Sequence, residues 1–424
     1  MKKLLLLGTS LASIEIVQTA REMGCYTIVT DNLDPELSPA KKESDEYWMI
    51  STDDLDALEK KCREENVNAV FAGVSEFNLD MVKALTERLG LPCYIEDSAW
   101  KYARDKSAFK QKCREIGVPV VEEYEVSDPP VAEELVGIEY PVVVKPVDGS
   151  GNKGLSICYN EEELIKGCEK ARENSQSRNI LIERYVTGEE TWNYYYLADG
   201  EVRYVYSGRV YRQPGYPTFL YSCGTTTIRS TQEYLDKVND KCEAFIKAIG
   251  CRRGIAWFQF IRDEKGRFYA LEMAQRISAD SAGKAIQNAI GVNALKWMLD
   301  VAFGEDHKVE DLPQTYKPPY KTTHNVYYLF AEKSGIVSTM QGLDELDRNE
   351  YNVSILAHPG THVDKYRNMV RLVFNAHSSQ EMCDKIKHVN DTVQILDENG
   401  ENLYIHFTDF DEIIKTNKGM YAAE

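Results

Sequence analysis

Four consecutive leucines, Leu4–Leu7, run directly into Gly8. A short unbroken apolar run closed by glycine is the pattern of a strand buried on both faces, and such strands belong to parallel sheets covered by helices. The residues that follow repeat the theme. A helix is expected over Ile14–Met23, a second strand over Tyr26–Thr30 ending at Asp31, and a third over Tyr47–Ile50. Thr52 then caps a helix reaching Glu65, with Asp53, Asp54 and Asp56 in its first turn, where the helix dipole favours acids. Ala69–Phe71 is a fourth strand and Leu79–Leu89 a further helix. This alternation predicts an α/β domain with a parallel sheet over residues 1–100. Lys2-Lys3 before the leucines has the look of an export signal. The apolar run stops at Gly8-Thr9-Ser10 and no A-x-A site follows, so a cytoplasmic protein is expected.

From residue 101 the pattern becomes mixed. Asp105 opens a helix over Lys106–Ile116 that ends at Gly117. Strands follow at Pro141–Lys145, Leu155–Tyr159 and Ile180–Glu183, with a helix from its cap Asn160 to Arg172 between the last two. Thr191–Leu197 and Glu201–Ser207 form a hairpin about Asp199-Gly200. The tyrosines of that hairpin, with Trp192, read as strand packing rather than a ligand cage. An amphipathic helix spans 231–249, a second hairpin joins 254–261 to 267–273, and one helix is expected from Gly283 to Val301. A polar linker, Asp306–Pro319, leads to a smaller α+β unit with strands near Tyr327, Ser354 and Val370. The expected domains are therefore 1–100, 101–305 and 306–424.

Composition removes several function classes. The formal net charge of −18 argues against a nucleic-acid partner, although a local basic pocket remains open. No run of 18 apolar residues exists to cross a membrane. Ten cysteines carry no C-x-x-C pair, which points to reduced thiols and away from zinc. The first histidine is His307, so chemistry located in residues 1–306 runs without imidazole, which excludes Ser-His-Asp and Cys-His mechanisms there.

Four groups of residues point to chemistry. Asp148-Gly149-Ser150-Gly151-Asn152-Lys153-Gly154 satisfies G-x-G-x-x-G, but a Rossmann fingerprint must open a helix, and here a strand follows. A glycine-rich turn between strands suits a phosphate-covering flap in which Gly149, Ser150, Gly151 and Gly154 bring amides close and Lys153 adds charge. An ordinary flexible hairpin has the same pattern. Lys145 closes the apolar run Val142–Val144 just before this turn and must find an anion or reach solvent; Lys106, on its helix's first turn, is a second basic candidate. In Glu183-Arg184-Tyr185-Val186, main-chain groups can meet an adenine edge and Glu190 can accept from ribose hydroxyls; a surface turn is the alternative. Gln259 and Glu272 lie on adjacent strands of one hairpin and can face one side, giving paired oxygen ligands for Mg2+ beside phosphates; a cross-strand polar pair on a sheet face is the alternative. Arg276, four residues on, can clamp a transferring phosphoryl oxygen.

In this order, over residues 1–305, these groups resemble the ATP-grasp superfamily, with 1–100 similar to its pre-ATP-grasp domain. The run Glu272-Met273-Ala274-Gln275-Arg276 stands where the family usually has Glu-x-Asn-x-Arg. Gln259 replaces a frequent acid, as it also does in carbamoyl phosphate synthase large chains. Ala274 removes one ligand of a second Mg2+, and Arg276-Ile277-Ser278-Ala279-Asp280 is similar to a carboxylate–amine ligase subgroup. The unit with His358–Thr361 and Asn368–Asn375 looks like the small lobe of bacterial L-amino-acid ligases.

The resemblance implies ATP and Mg2+ (with Mn2+ as an alternative), an acyl-phosphate route, and small-molecule carboxylate and amine partners. Substrate residues are expected at Glu76, beyond the fourth strand, and at Ser278 and Asp280. The loop Arg209–Arg229 is expected to close over the substrate. A bicarbonate-using enzyme and a non-catalytic nucleotide binder are the rivals. Oligomeric state stays open, a homodimer included.

Overall fold

β1 (Lys3–Leu7), β2 (Tyr26–Thr30), β3 (Glu46–Trp48) and β4 (Ala69–Ala72) pair in parallel in the order β3-β2-β1-β4. Leu4–Leu7 are almost wholly buried, as a strand covered on both faces requires. The computed structural model describes residues 1–9, 12–127, 130–149, 153–216, 220–226, 228–278 and 283–422. Two local expectations change in the first unit. The helix Leu55–Glu65 is capped by Asp54, whose carboxylate accepts from Ala57 N–H, and not by Thr52. The next helix is longer than expected, Glu76–Leu89, because Ser75 caps it through Asn78 N–H. A helix at Asp97–Arg104, not foreseen, then leads into Lys106–Ile116, which Asp105 caps as expected.

β5 (Glu123–Tyr124), β6 (Val142–Pro146), β7 (Ser156–Cys158) and β8 (Ile180–Arg184) form an antiparallel sheet in the order β5-β8-β6-β7. Helix Glu161–Glu173 covers one face, where Leu164, Cys168 and Ala171 pack on Val142, Val144 and Ile182. Strand parity then turns Val143 and Lys145 to the other face.

β9 (Glu189–Ala198), β10 (Glu201–Tyr211), β11 (Cys223–Thr225), β12 (Gly254–Arg262), β13 (Phe268–Ala274) and β14 (Thr323–Phe330) belong to an eight-stranded sheet, completed by Asn368–Ala376 and Tyr351–Ile355. Its order is β13-β12-β9-β10-β11-β14 followed by those two strands, so one sheet joins strands from both sides of residue 305. The turn Asp199-Gly200 has both residues at positive φ (48° and 80°), the form that matches a hairpin's twist. On the face away from the cleft, Tyr195, Tyr204, Phe258 and Phe260 pack against Tyr234 and Phe245 of the 231–248 region. The hairpin tyrosines are thus core, as expected. The helix expected over 283–301 is two, Gly283–Ile290 and Ala294–Ala302; Gly291, at φ 84°, ends the first and Asn293 caps the second. Among the described residues no helix is long and apolar enough to cross a membrane.

Candidate active site

The β5–β8 sheet faces the near surface of the large sheet, and two adjoining cavities lie in the cleft. The first, about 350 Å3, has apolar walls from Val121, Val143, Leu155, Ile157 and Leu271. Its polar side holds Lys106, Lys145, Glu190, Gln259 and Glu272. The second, about 660 Å3, shares Lys106, Lys145, Gln259 and Glu272 and extends to Glu76, Lys153, Arg276 and Ser278. Segments 170 residues and more apart in sequence therefore meet here.

Lys145 Nζ lies 2.8 Å from Glu183, and Lys110 Nζ pairs with the other oxygen of the same carboxylate. The Lys110 side chain is fully buried and that of Glu183 nearly so, at 4% exposure. Burial alone would push the Glu183 carboxyl up, but the two ammonium groups outweigh it and hold it down at about 2. Glu183 is thus an ionised anchor for two lysines, and its carboxylate is already engaged. Lys106 Nζ donates to Gly149 O at 2.5 Å, tying the helix start to the glycine turn. Burial lowers the Lys106 pKa; Glu272 opposes this and Lys145 adds to it.

Lys153 is exposed at the mouth of the second cavity. Gly149 and Gly154 press on Pro146, where a Cβ would come within 2.9 Å of Pro146 Cβ and 2.8 Å of Pro146 Cγ. Ser150, Gly151 and Asp280 lie outside the described residues.

At the turn after β8, Arg184 Nε donates to Glu122 at 2.9 Å and its guanidinium lies over Tyr269. The Arg184 and Tyr185 N–H groups donate to Glu122 O and Pro141 O. Val186 packs with Val121 and Tyr269 at the cavity edge.

Gln259 and Glu272 are direct cross-strand partners, as expected. Glu190 accepts from Tyr221 Oη at 2.9 Å, from Gln259 Nε2, and from Arg212. Burial, and then the Glu190 charge, push the Tyr221 phenol well up, so it stays a donor. Arg276 donates to Ile277 O at 3.0 Å, lies 5.1 Å over the Trp257 ring, and is 3.8 Å from Glu76. Glu76 also accepts from Arg104 at 2.8 Å. Ser278 is buried and accepts from Tyr194 Oη at 2.9 Å.

Several residues here were not anticipated. Lys110 carried a signal, since it lies four residues after Lys106 and so on the same helix face. Arg212 and Tyr221 come from the loop expected to close over substrate; it starts within β10 and contains β11, and Gln213 and Tyr216 bond Thr408 and Glu332. Trp192, read as packing, does pack against the core and the Tyr221 ring, and it also walls the second cavity with Trp257, Val210, Val326 and Tyr328.

A gap between two antiparallel sheets, lined by lysines on one side and a Gln–Glu pair with an arginine on the other, has the charges that phosphoryl transfer requires. Residues 105–309 match the family model described as the carbamoyl-phosphate synthase L chain, ATP binding domain. The 2-oxoglutarate carboxylase small subunit of Hydrogenobacter thermophilus is 24% identical over 324 residues, covering 72% of this chain and 67% of that one. The N-terminal section of the carbamoyl phosphate synthase large chain of Aquifex aeolicus is 25% identical over 312 residues, covering 69% and 55%. The chain thus spans little more than half of that second relative. Among solved structures, the L-amino acid ligase from Bacillus licheniformis superposes with a TM-score of 0.76 at 19% identity, covering 94% of this chain and 99% of the other. The matched segment, residues 105–309, is just under half of the chain and is of the ATP-grasp kind.

Proposed function

We propose that this protein is an ATP-dependent ligase that activates a small carboxylate as an acyl phosphate and passes it to an amine, releasing ADP and phosphate. The second cavity carries this reading. It begins at Gln259, Glu272 and Arg276, where a γ-phosphate would lie, and continues along an apolar wall of Trp192, Trp257, Val210, Val326 and Tyr328. Bicarbonate has no apolar part to seat on such a wall, whereas an amino acid or related acid with an apolar side chain does. Val326 and Tyr328 lie on β14, so the C-terminal unit, residues 306–424 in our division, helps build the acceptor site.

In this reading the adenine lies in the first cavity beside Val186. Lys145 and Lys106 take the phosphates, Lys153 covers them, and Glu76 with Ser278 contacts the acceptor. Gln259 and Glu272 fit a hard divalent cation, being two oxygen donors side by side at the phosphate end of the cleft. When bound, Mg2+ would neutralise phosphate charge. Arg276, held by Trp257, is placed to stabilise charge that develops on the transferring group.

The test is a pairwise screen of amino acids and small carboxylates with amines for phosphate release from ATP. Release that depends on a carboxylate and is raised by an amine is expected. Release with bicarbonate alone would favour a carboxylase, and none with any acid would overturn the ligase reading.

A further inference from the structure

We infer that Glu190 is a positioning residue for the Gln259 carbonyl, an inference resting on the proposed metal role of Gln259. A glutamine serves a cation only through its one carbonyl oxygen; a carboxylate has two equivalent oxygens and no wrong way round. Something must therefore decide which end of the Gln259 amide faces the metal.

Strand order supplies the geometry. β12 lies between β13 and β9, so Gln259 has Glu272 on one flank and β9 on the other. Gln259 pairs with Trp192 and Ile261 with Glu190, which puts Glu190, Trp192, Gln259 and Ile261 on one face of the sheet. Gln259 Nε2 donates to Glu190 Oε1. An ionised carboxylate only accepts, so whatever faces Glu190 must be the NH2 end. The carbonyl is then left toward Glu272, the second oxygen ligand.

Glu190 is itself fixed. Arg212 pairs with its Oε2, and Tyr221 donates to Oε1 at 2.9 Å. Arg212 also lies over the Tyr221 ring, with 4.9 Å from guanidinium carbon to ring centroid. The chain of orientation runs Arg212 and Tyr221, Glu190, Gln259, metal. Partners of this kind around a metal ligand typically matter by 10–100-fold in metal affinity.

The experiment compares wild type, Glu190→Gln, Gln259→Glu and the E190Q/Q259E double variant as full chains. Two readouts are taken: the Mg2+ concentration giving half-maximal thermal stabilisation by ADP, and the ATP KM for phosphate release at saturating Mg2+. Glu190→Gln is expected to raise the Mg2+ requirement on the order of 10–100-fold with little change in ATP KM. The double variant is expected to recover most of it, since a carboxylate at 259 needs no orientation and the amide at 190 can donate to it. Should Glu190→Gln not fold, Tyr221→Phe, which removes one holder of Glu190, is expected to shift the Mg2+ requirement in the same direction by less. An ATP KM that rises while the Mg2+ requirement stays put would overturn the inference and assign Glu190 to the ribose. A double variant no better than Glu190→Gln would overturn it too. If the wild type shows no Mg2+-dependent stabilisation by ADP, the nucleotide-site reading fails and takes this inference with it.

Discussion

Replacing Glu183 by glutamine tests the electrostatic centre of the cleft. Its carboxylate pairs with Lys145 at 2.8 Å and with Lys110, whose side chain is fully buried. Removing one member of a buried ion pair typically costs about 3–5 kcal/mol, because the remaining charge is stranded. Lys110 keeps Glu123 at 3.5 Å, which places Glu183→Gln near the lower end, about 3 kcal/mol. The pH dependence follows from the direction of the shift. The folded carboxyl sits at about 2, below its ordinary 4.5. Its contribution is therefore complete above that ordinary range and is lost as pH falls from there toward about 2. Near pH 3.5 the gap between wild type and variant should have shrunk by roughly 1 kcal/mol relative to pH 7. Urea unfolding midpoints followed by tryptophan fluorescence at the two pH values measure this. A gap of equal size at both, or no gap at pH 7, would refute the assignment of Glu183 as the ionised anchor.

Lys145→Ala is expected to abolish the thermal stabilisation that ATP confers by mass action, read in a dye-based melt with and without nucleotide. Glu272→Gln should raise the Mg2+ requirement for ADP formation while circular dichroism stays unchanged; an unmoved Mg2+ curve would make the hairpin pair structural. Arg276→Ala should bind ATP nearly as wild type yet release phosphate on the order of 10²–10³ more slowly with a productive substrate pair. ATP titration and turnover on one preparation check this, and an equal fall in both would reduce Arg276 to a binding residue.

The elements were largely readable where local chemistry determines them. Leu4–Leu7, the caps Asp105 and Asn160, and the Asp199-Gly200 turn each signal their structure within a few residues. The Gln259–Glu272 pairing was readable for the same reason, since a short hairpin sets its register locally. The partners of Glu183 and Glu190 were not. Whether a carboxylate meets an adenosine ribose, a lysine or an amide depends on how the Lys106–Ile116 helix and the 209–229 loop pack, which no local pattern encodes. Trp192 shows the same limit: alternation places it on a strand, but only the neighbouring sheet decides whether it faces core or cavity.

The pairing of β11 with β14 has a consequence for how the chain is made. Cys223–Thr225 sits between β10 and a strand that begins only at Thr323, so nearly a hundred residues must leave the ribosome before that edge is covered. Until then β11 is an unpaired edge, open to another chain. Cutting the protein after residue 305 would make that state permanent. Such a fragment would keep all the proposed nucleotide ligands and yet be prone to stick to copies of itself along β11. The strand Thr323–Phe330 thus covers an edge that residues 1–305 cannot close alone.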